Sequence, residues 1–347
     1  MPKISVVTTL YNQGKYLSDA VKSLENQTFT DWECVIVDDG STDDSLAIAE
    51  RIVGNHAKFK LLSKTNSGVA GARNYGIKNS QSEYLAYLDS DDWLYPNALE
   101  VLHNLISRDR KIGFASCRVQ ETNMDLGNIG RSTEKHRNFI EDEITCRLMN
   151  EDPLARVLWN NPTKPGAEIW RTDRIAELLY DEKLRINEDW DILLRHAIAG
   201  GLTAASLDVV VKYRRHSGSL IHNQTDNLTN LDCFIKNFYA TRSDSLYSKV
   251  AELATVIVMR NCPDDHACWK RLNRSEAEYL DICKAALSHP TISKFATLWL
   301  GGFVRRAGMK SNQRVFNLVS GIKKELASKP FTYWVISRRF FEQTCLK

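Results

Sequence analysis

The first 120 residues alternate short apolar segments with longer amphipathic ones, and this alternation limits the possible folds more than any other feature. Segments rich in β-branched and aromatic residues predict strands at 4–10, 33–37, 59–62, 84–88 and 113–119. Between them, apolar residues recur at helical spacing, as Leu17, Val21 and Leu24 do. Strands that alternate with helices of this length form βαβ units, so we expect an α/β fold with a mostly parallel central sheet.

Carboxylates cluster where two of these predicted strands end. Asp39 follows the second strand, and Asp89, Asp91 and Asp92 follow the fourth. Ligands of open α/β sheets bind beyond the carboxyl ends of the strands. Clustered carboxylates there favour a divalent cation that bridges protein and phosphate. The alternative is a helix N-cap, but one aspartate would serve a cap, whereas three neighbouring carboxylates repel one another.

The turns after the strands lack two common nucleotide-binding motifs. Residues 11–14, after the first strand, do not form G-x-G-x-x-G, and no G-x-x-x-x-G-K-[ST] is present. A glycine-containing segment at 66–74 instead delivers Arg73 after the third strand. We therefore expect a nucleotide held by residues at the edge of the sheet, its diphosphate clamped by a divalent cation.

Five segments in this order resemble the inverting family 2 glycosyltransferases, which have the GT-A fold. The segments are residues 6–12, 37–43, 66–74, 88–92 and 187–189, and the resemblance covers residues 3 to about 220. It implies a Rossmann-like GT-A catalytic domain at 1–220, which leaves a C-terminal helical region at 221–347. The chain lacks the Gln-x-x-Arg-Trp motif of the processive synthases of this family. A non-processive enzyme that adds single sugars is therefore expected.

The resemblance also assigns residues to the donor site. Thr9 and Tyr11 would line a uracil pocket, with the Tyr11 ring offering a face to the base, and Asp39 would hydrogen-bond the base. The residues expected to bind the nucleotide sugar are Thr9, Tyr11, Asn12, Asp39, Asn66, Arg73, Asp89 and Asp91. The expected donor is a UDP-sugar.

A metal site is implied by residues 88–92, which match the family's DxD motif. One carboxylate of this motif would reach the ribose, and another would ligate Mg²⁺ or Mn²⁺. Asp91 and Asp92 are both candidate metal ligands, and the sequence does not choose between them.

A histidine far along the chain is a further candidate metal ligand. His216 follows a predicted edge strand at 207–213, and similar enzymes use a histidine there to bind metal or diphosphate. The alternative is a histidine in a surface loop. Two preceding residues, Arg214 and Arg215, would contact phosphate or be solvated.

Inversion by a single displacement also requires a general base opposite the leaving diphosphate. Asp189 matches the family's base motif, and Glu188 is the second candidate. The alternative for Asp189 is an acid that the dipole favours at a helix N-terminus. Trp190 is a candidate for stacking on a sugar, although tryptophan is more often a core residue.

The net charge of +3 conceals a basic C-terminal tail. Residues 291–347 hold eleven Lys and Arg against two acidic residues, a net charge of +9. One interpretation is a helical subdomain with solvated basic faces. The other is an amphipathic surface that docks on the inner leaflet of a membrane, where each Lys or Arg contributes about 1 kcal/mol. No recognition module for nucleic acid accompanies this charge, so nucleic-acid binding is not expected.

The location follows from the same sequence. Met1 leads directly into the first predicted strand, and no apolar run reaches the roughly 18 residues of a membrane span. We expect a cytoplasmic protein, peripheral on the cytoplasmic face of the membrane, that glycosylates a lipid-linked or surface-glycan acceptor in cell-envelope polysaccharide biosynthesis. The alternative is a non-catalytic nucleotide- or carbohydrate-binding protein on a GT-A scaffold. A sugar-nucleotide pyrophosphorylase would need a Gly-x-Gly-x-x-Arg loop after the first strand, and that loop is absent.

Overall fold

The computed structural model describes residues 1–54, 56–126, 161–185 and 187–216, together with eight residues between 146 and 157. The chain divides into two compact units, Met1–Phe234 and Ile235–Lys347, and every described residue belongs to the first unit. The predicted domain boundary at residue 220, the helical region at 221–347 and its basic tail lie outside the described residues. Within the described part, no helix is long and apolar enough to cross a membrane.

One mixed sheet of eight strands forms the centre of the described unit. The strands are β1 (Ile4–Leu10), β2 (Trp32–Asp38), β3 (Phe59–Ser63), β4 (Tyr84–Tyr87), β5 (Trp93–Leu94), β6 (Ile112–Thr122), β7 (Glu168–Arg171) and β8 (Leu202–Arg214). The helices are α1 (Gly14–Glu25), α2 (Ser45–Val53), α3 (Val69–Lys78), α4 (Ala98–Ile106), α5 (Thr172–Leu178) and α6 (Glu188–Ile198).

The strand order is β3-β2-β1-β4-β7-β6-β8-β5. Strands β3, β2, β1 and β4 are parallel, and β6 is parallel to β8. Strand β7 is antiparallel to both of its neighbours, and β5 is antiparallel to β8. Four of the seven pairings are therefore parallel, which confirms the predicted α/β class and mostly parallel sheet.

The first five predicted strands are confirmed within three residues at each end, and β1 has its predicted bounds. The segment predicted as an edge strand at 207–213 is a strand, but its predicted place at the edge of the sheet is wrong. This segment belongs to β8, which begins at Leu202 and is not the edge strand, because Trp93 and Leu94 of β5 pair with Lys212 and Val211. The small residues at the start of β8 have weak strand propensity, and pairing with β6 makes them strand.

The segments that carry the candidate site residues meet at one edge of the sheet, on a core formed by strands and helices. Alternate strand residues such as Val6 and Ala86 share one buried core with Leu17 of α1 and Leu102 of α4. Helix α3 approaches β1 closely at Gly76, where a Cβ atom would lie 2.4 Å from Cγ1 of Val7. Because β1, β2 and β4 are parallel neighbours, the segments that follow them meet at their carboxyl ends, where ligands of such sheets bind.

Candidate active site

Arg73 connects the two acidic motifs of the sequence. It projects from α3 and is 2% exposed. Its Nη1 donates to Oε1 of Glu188 at 2.6 Å, and its Nη2 donates to Oδ1 of Asp89 at 3.2 Å. The rings of Tyr87 and Tyr180 lie 5.7 and 5.6 Å from the guanidinium carbon. The guanidinium group therefore joins the end of β4 to the start of α6, although these segments are about a hundred residues apart.

The charges of this cluster depend on one another. Burial lowers the pKa of Arg73, but the carboxylates of Asp89 and Glu188 raise it well above its usual value, so the guanidinium group stays charged. Burial raises the pKa of Glu188 to about 7; Asp189 adds to this shift and Arg73 opposes it. One buried cation thus holds several carboxylates close together, as expected where a protein binds charged groups.

Asp89 is held from two sides at the carboxyl end of β4. Besides its bonds to Arg73, its Oδ1 accepts a hydrogen bond from Oγ1 of Thr9 at 3.1 Å. Its side chain is 25% exposed. The structure therefore brings together three residues predicted to bind the nucleotide sugar, and leaves the Asp89 carboxylate partly open to solvent.

Asp91 and His216 also come together. Oδ2 of Asp91 lies 2.8 Å from Nε2 of His216, and the ring of Tyr16 packs at 5.1 Å from the imidazole ring. Burial raises the pKa of Asp91, and Asp89 adds to this shift while His216 opposes it. His216 is buried, so the alternative of a histidine in a surface loop is wrong.

Asp92 differs from Asp91 in its surroundings. It is 1% exposed, and its Oδ1 accepts a hydrogen bond from the backbone N–H of Arg214 at 2.9 Å. Burial raises its pKa well above the usual value, and Asp91 and Asp89 add to the shift. Its Oδ2 has no hydrogen-bond partner among the described residues. The Asp92 carboxylate is thus buried against the end of β8, whereas the Asp91 side chain is 23% exposed.

These side chains suit a divalent cation that protein and substrate coordinate jointly. Within the described ranges, no group of three or more His, Cys, Asp or Glu side chains could hold a metal ion by itself. Mg²⁺ at nucleotide sites usually has one or two carboxylate ligands and takes the others from substrate phosphates and water. The carboxylate of Asp91 and the imidazole of His216 form such an incomplete set, so the residues present fit Mg²⁺ or Mn²⁺.

Asp39 organises the segment at 64–68. Its carboxylate accepts hydrogen bonds from the backbone N–H groups of Ser67 and Gly68 at 3.0 and 2.8 Å, and from Nζ of Lys64 at 3.0 Å. Nδ2 of Asn66 donates to the Asp39 carbonyl oxygen at 2.9 Å. Two further residues of the predicted donor site, Asp39 and Asn66, are therefore adjacent beyond the ends of β2 and β3.

The loop after β1 is tied to the loop after β2. The Asn12 backbone N–H donates to Oγ of Ser41 at 3.1 Å, and its Oδ1 accepts from the Thr42 N–H at 2.9 Å. Asn12 has φ of 52°, a left-handed conformation that asparagine adopts more readily than most residues. The neighbouring Tyr11 is 46% exposed. The Tyr11 ring is therefore available to a planar ligand at this edge of the sheet.

The candidate base lies in the first turn of α6. Oδ1 of Asp189 accepts a hydrogen bond from the Trp190 N–H at 2.8 Å. Asn187, the residue before the helix, has φ of 66°. The first turn also holds Glu188 and Asp191, and negative charge is favourable at a helix N-terminus. Trp190 is 4% exposed and its Nε1 donates to the Val157 carbonyl at 2.7 Å. The prediction that Trp190 stacks on a sugar is therefore wrong, and Trp190 is a core residue.

Sequence reasoning missed Glu168, which borders the same cluster. It lies on β7, is 2% exposed, and accepts a hydrogen bond on Oε2 from Oγ1 of Thr163 at 3.1 Å. Burial raises its pKa to about 8; Asp189 adds to the shift and Arg73 opposes it. The one available signal was a charged residue between the apolar residues Ala167 and Ile169.

The structure also distinguishes the two arginines before His216. Arg214 is 4% exposed and donates to the carbonyl oxygens of Asp91 and Met124 at 2.8 and 2.6 Å. Arg215 donates to Oε1 of Glu121 at 2.8 Å, and its side chain is 29% exposed. Arg214 is therefore neither solvated nor exposed to a phosphate, while Arg215 forms a partly exposed ion pair.

Comparison with known proteins agrees with this geometry. The family model "Glycosyl transferase family 2" matches residues 5–160. The chondroitin synthase of Escherichia coli is 26% identical over 247 residues, which are 71% of this chain and 33% of that protein. The hyaluronan synthase of Pasteurella multocida is 33% identical over 149 residues, 43% of this chain and 15% of that protein. The cholesterol galactosyltransferase of Borreliella burgdorferi is 37% identical over 107 residues, 31% of this chain and 30% of that protein. This chain spans a third or less of the length of these relatives.

Solved structures show the same fold. A crystal structure of Staphylococcus aureus TarS 1–349 superimposes with a TM-score of 0.57 at 17% identity, covering 95% of this chain and 93% of that one. The same protein in complex with UDP-GlcNAc gives a TM-score of 0.58 at 17% identity, covering 93% and 92%. These likenesses confirm the GT-A architecture, and the family match confirms the resemblance in the sequence motifs. Residues 5–160 of this chain therefore match the model of glycosyl transferase family 2, and the chain has the GT-A fold of the solved glycosyltransferase structures.

Proposed function

We propose that this protein is an inverting, metal-assisted glycosyltransferase that moves a sugar from a UDP-sugar to a hydroxyl of a lipid-linked or surface-glycan acceptor. One observation carries the proposal: Arg73 holds Asp89 of the DxD motif and Glu188, next to Asp189, in a single site. A single displacement needs one set of groups for the leaving diphosphate and a carboxylate for the incoming hydroxyl. Both sets are present at this edge of the sheet.

The donor end is formed by the loops after β1, β2 and β3. Tyr11 would stack on the base, and Asp39 and Asn66 would border it. Asp89, held by Thr9 and Arg73, would accept hydrogen bonds from the ribose. Complexes of the structural neighbour TarS with UDP and with UDP-GlcNAc support a UDP-sugar as donor.

The leaving diphosphate would lie beside Asp91 and His216, which would hold Mg²⁺ or Mn²⁺ with its phosphate oxygens. When bound, such a cation neutralises charge on the departing diphosphate. Asp92 would attach this loop to β8, because its buried carboxylate accepts a hydrogen bond from the backbone N–H of Arg214.

The acceptor hydroxyl would lose its proton to Asp189. Its neighbour Glu188 is less suited to this role, because Oε1 of Glu188 is already bound by Arg73 at 2.6 Å. Asp189 lies in the first turn of α6, where the helix N-terminus is favourable for negative charge. Relatives named chondroitin synthase, hyaluronan synthase and cholesterol galactosyltransferase support a hydroxyl of a glycan or a lipid as acceptor.

The decisive experiment measures UDP release and sugar transfer from a panel of nucleotide sugars, with Mn²⁺ or Mg²⁺. A UDP-sugar should be turned over, and Asp189→Asn should lower kcat by about 10²- to 10⁴-fold, as expected for loss of a general base. Asp31→Asn is the matched control, because Asp31 is exposed just before β2, at the opposite end of the strands. It should behave as wild type.

Two results would decide against the proposal. If no nucleotide sugar binds or turns over, the donor assignment fails. If UDP-sugars bind but are not turned over, and Asp189→Asn binds them equally well, the protein is instead a non-catalytic nucleotide- or carbohydrate-binding protein. The stereochemistry of the transferred sugar, read by NMR, tests inversion separately.

A further inference from the structure

Building on the proposed function, we propose that Arg214 is a positioning residue that holds Asp91 and His216 in place for the diphosphate-bound cation. Arg214 is the last residue of β8, which lies between β6 and the short edge strand β5. It contacts the DxD segment through both its backbone and its side chain. The Arg214 side chain is buried, with only 4% of the residue surface exposed.

Arg214 attaches the DxD segment to the end of β8. The Arg214 backbone N–H donates to Oδ1 of Asp92 at 2.9 Å, and its Nε donates to the Asp91 carbonyl oxygen at 2.8 Å. Two consecutive residues of the motif are thus fixed by one residue 122 positions or more further along the chain. Because the Asp91 backbone is held, the direction of its carboxylate is restricted.

The far end of the Arg214 guanidinium group is bound by two other segments. Nη1 donates to the Met124 carbonyl oxygen at 2.6 Å, and Nη2 donates to Oδ2 of Asp19 on α1 at 2.8 Å. The Arg214 side chain therefore joins the DxD segment, the residues after β6, and α1. A planar guanidinium group can donate in three directions at once, whereas the ammonium group of lysine cannot span these acceptors.

His216 and Arg214 pack against the same aromatic ring. The Tyr16 ring packs at 4.6 Å from the Arg214 guanidinium carbon and at 5.1 Å from the His216 ring. Arg214 and His216 are thus packed against the same face of α1, two residues apart. Since His216 lies 2.8 Å from Asp91, displacement of Arg214 would separate the two candidate ligands. Groups that orient metal ligands in this way typically change metal affinity 10- to 100-fold when they are removed.

The test compares Arg214→Met and Arg214→Lys with Arg215→Met as the matched control, since Arg215 is the adjacent arginine and pairs with Glu121 instead. Mn²⁺ binding in the presence of UDP is measured by the EPR signal of free Mn²⁺, and UDP binding without metal by calorimetry. Both Arg214 variants should weaken Mn²⁺ binding by about tenfold or more. UDP affinity without metal, and Mn²⁺ binding by Arg215→Met, should stay within about twofold of wild type.

Kinetics supply a second readout that a general loss of stability would not produce. The Mn²⁺ concentration for half-maximal activity should rise in Arg214→Lys, while KM for the donor at saturating Mn²⁺ stays close to wild type. If Arg214→Met does not fold, Arg214→Lys and Asp19→Asn carry the test, with unfolding midpoints measured alongside. Asp19→Asn should weaken Mn²⁺ binding in the same direction, because it removes the charged partner of Nη2.

The outcomes separate this inference from the proposed function. If wild type binds Mn²⁺ with UDP but Arg214→Lys binds it equally well, the positioning role is refuted and the proposed function stands. Equal weakening by Arg215→Met would also refute it, because general positive charge would then explain the effect. If wild type itself binds no Mn²⁺ in the presence of UDP, the metal-assisted function fails and this inference fails with it.

Discussion

Replacing Glu168 with glutamine tests the electrostatics behind the candidate base. Burial raises the pKa of this carboxyl from 4.5 to about 8; Asp189 adds to the shift and Arg73 opposes it. At pH 7 the folded protein therefore holds Glu168 largely protonated, whereas the unfolded chain does not. Glutamine resembles the protonated form and keeps an oxygen that can accept the hydrogen bond from Thr163.

The direction of the pH effect follows from the raised pKa. Between pH 4.5 and about 8 the folded state binds a proton that the unfolded state has lost, so this group makes wild-type stability fall as the pH rises through that window. Each pKa unit corresponds to about 1.4 kcal/mol. From pH 5.5 to 8.5 the loss through Glu168 alone is therefore up to about 3 kcal/mol of unfolding free energy. Glutamine does not titrate, so the unfolding free energy of Glu168→Gln should rise by this amount relative to that of wild type between pH 5.5 and pH 8.5.

Urea unfolding at pH 5.5, 7.0 and 8.5, at constant ionic strength, measures this difference. Glu188 titrates in both proteins, so its effect largely cancels. Glu50→Gln is the control, because Glu50 is exposed on α2, and its stability difference from wild type should not change with pH. The assignment of a protonated, buried Glu168 is refuted if the difference in unfolding free energy between Glu168→Gln and wild type stays constant within about 0.5 kcal/mol across this pH range.

Three further variants test other parts of the structure. Arg73→Met should lower the unfolding free energy by about 3–5 kcal/mol, because it leaves buried Glu188 without its cation; urea unfolding checks this, and a loss below about 1 kcal/mol would contradict it. Tyr11→Ala should weaken UDP binding by about 1–3 kcal/mol through lost stacking while Tyr11→Phe retains it; calorimetry measures both, and equal losses would refute a stacking role. Gly40→Ala should destabilise the loops after β2 and β3, because φ of Gly40 is +70° and a Cβ there would lie 2.8 Å from the Asn66 backbone nitrogen; an unchanged thermal unfolding midpoint would contradict this.

The basic tail gives a prediction that rests on sequence alone. Changing Arg305, Arg306, Lys323 and Lys324 to glutamine removes four positive charges from the chain. Binding to anionic liposomes should weaken by up to about 1 kcal/mol for each charge near the surface. Sedimentation with anionic and with neutral liposomes measures this. Equal and negligible binding of both proteins to anionic liposomes would refute the docking hypothesis.

The sequence by itself determined the order of β1 to β4 with the helices between them, and the edge of the sheet where the candidate site lies. Strands β1 to β4 are short apolar runs bounded by turn residues, and their alternation with helices leaves a parallel sheet as the stable arrangement. Because Asp39 and Asp89 directly follow two of these strands, parallel pairing brings them to the same edge. Local pattern and motif spacing were sufficient for these conclusions.

Only the tertiary structure decided which side chains face one another. Asp91 and Asp92 are identical in chemistry and adjacent in sequence, yet one lies beside His216 and the other accepts a hydrogen bond from the Arg214 backbone. The contacts of His216 and Arg214 and the approach of Glu168 to the cluster depend on the pairings of β7 and β8 across long stretches of chain. Trp190 is buried where its Nε1 donates to the distant Val157 carbonyl oxygen. Local sequence encodes the tendency to form a strand, but the direction of a side chain is set by the register and packing of distant segments.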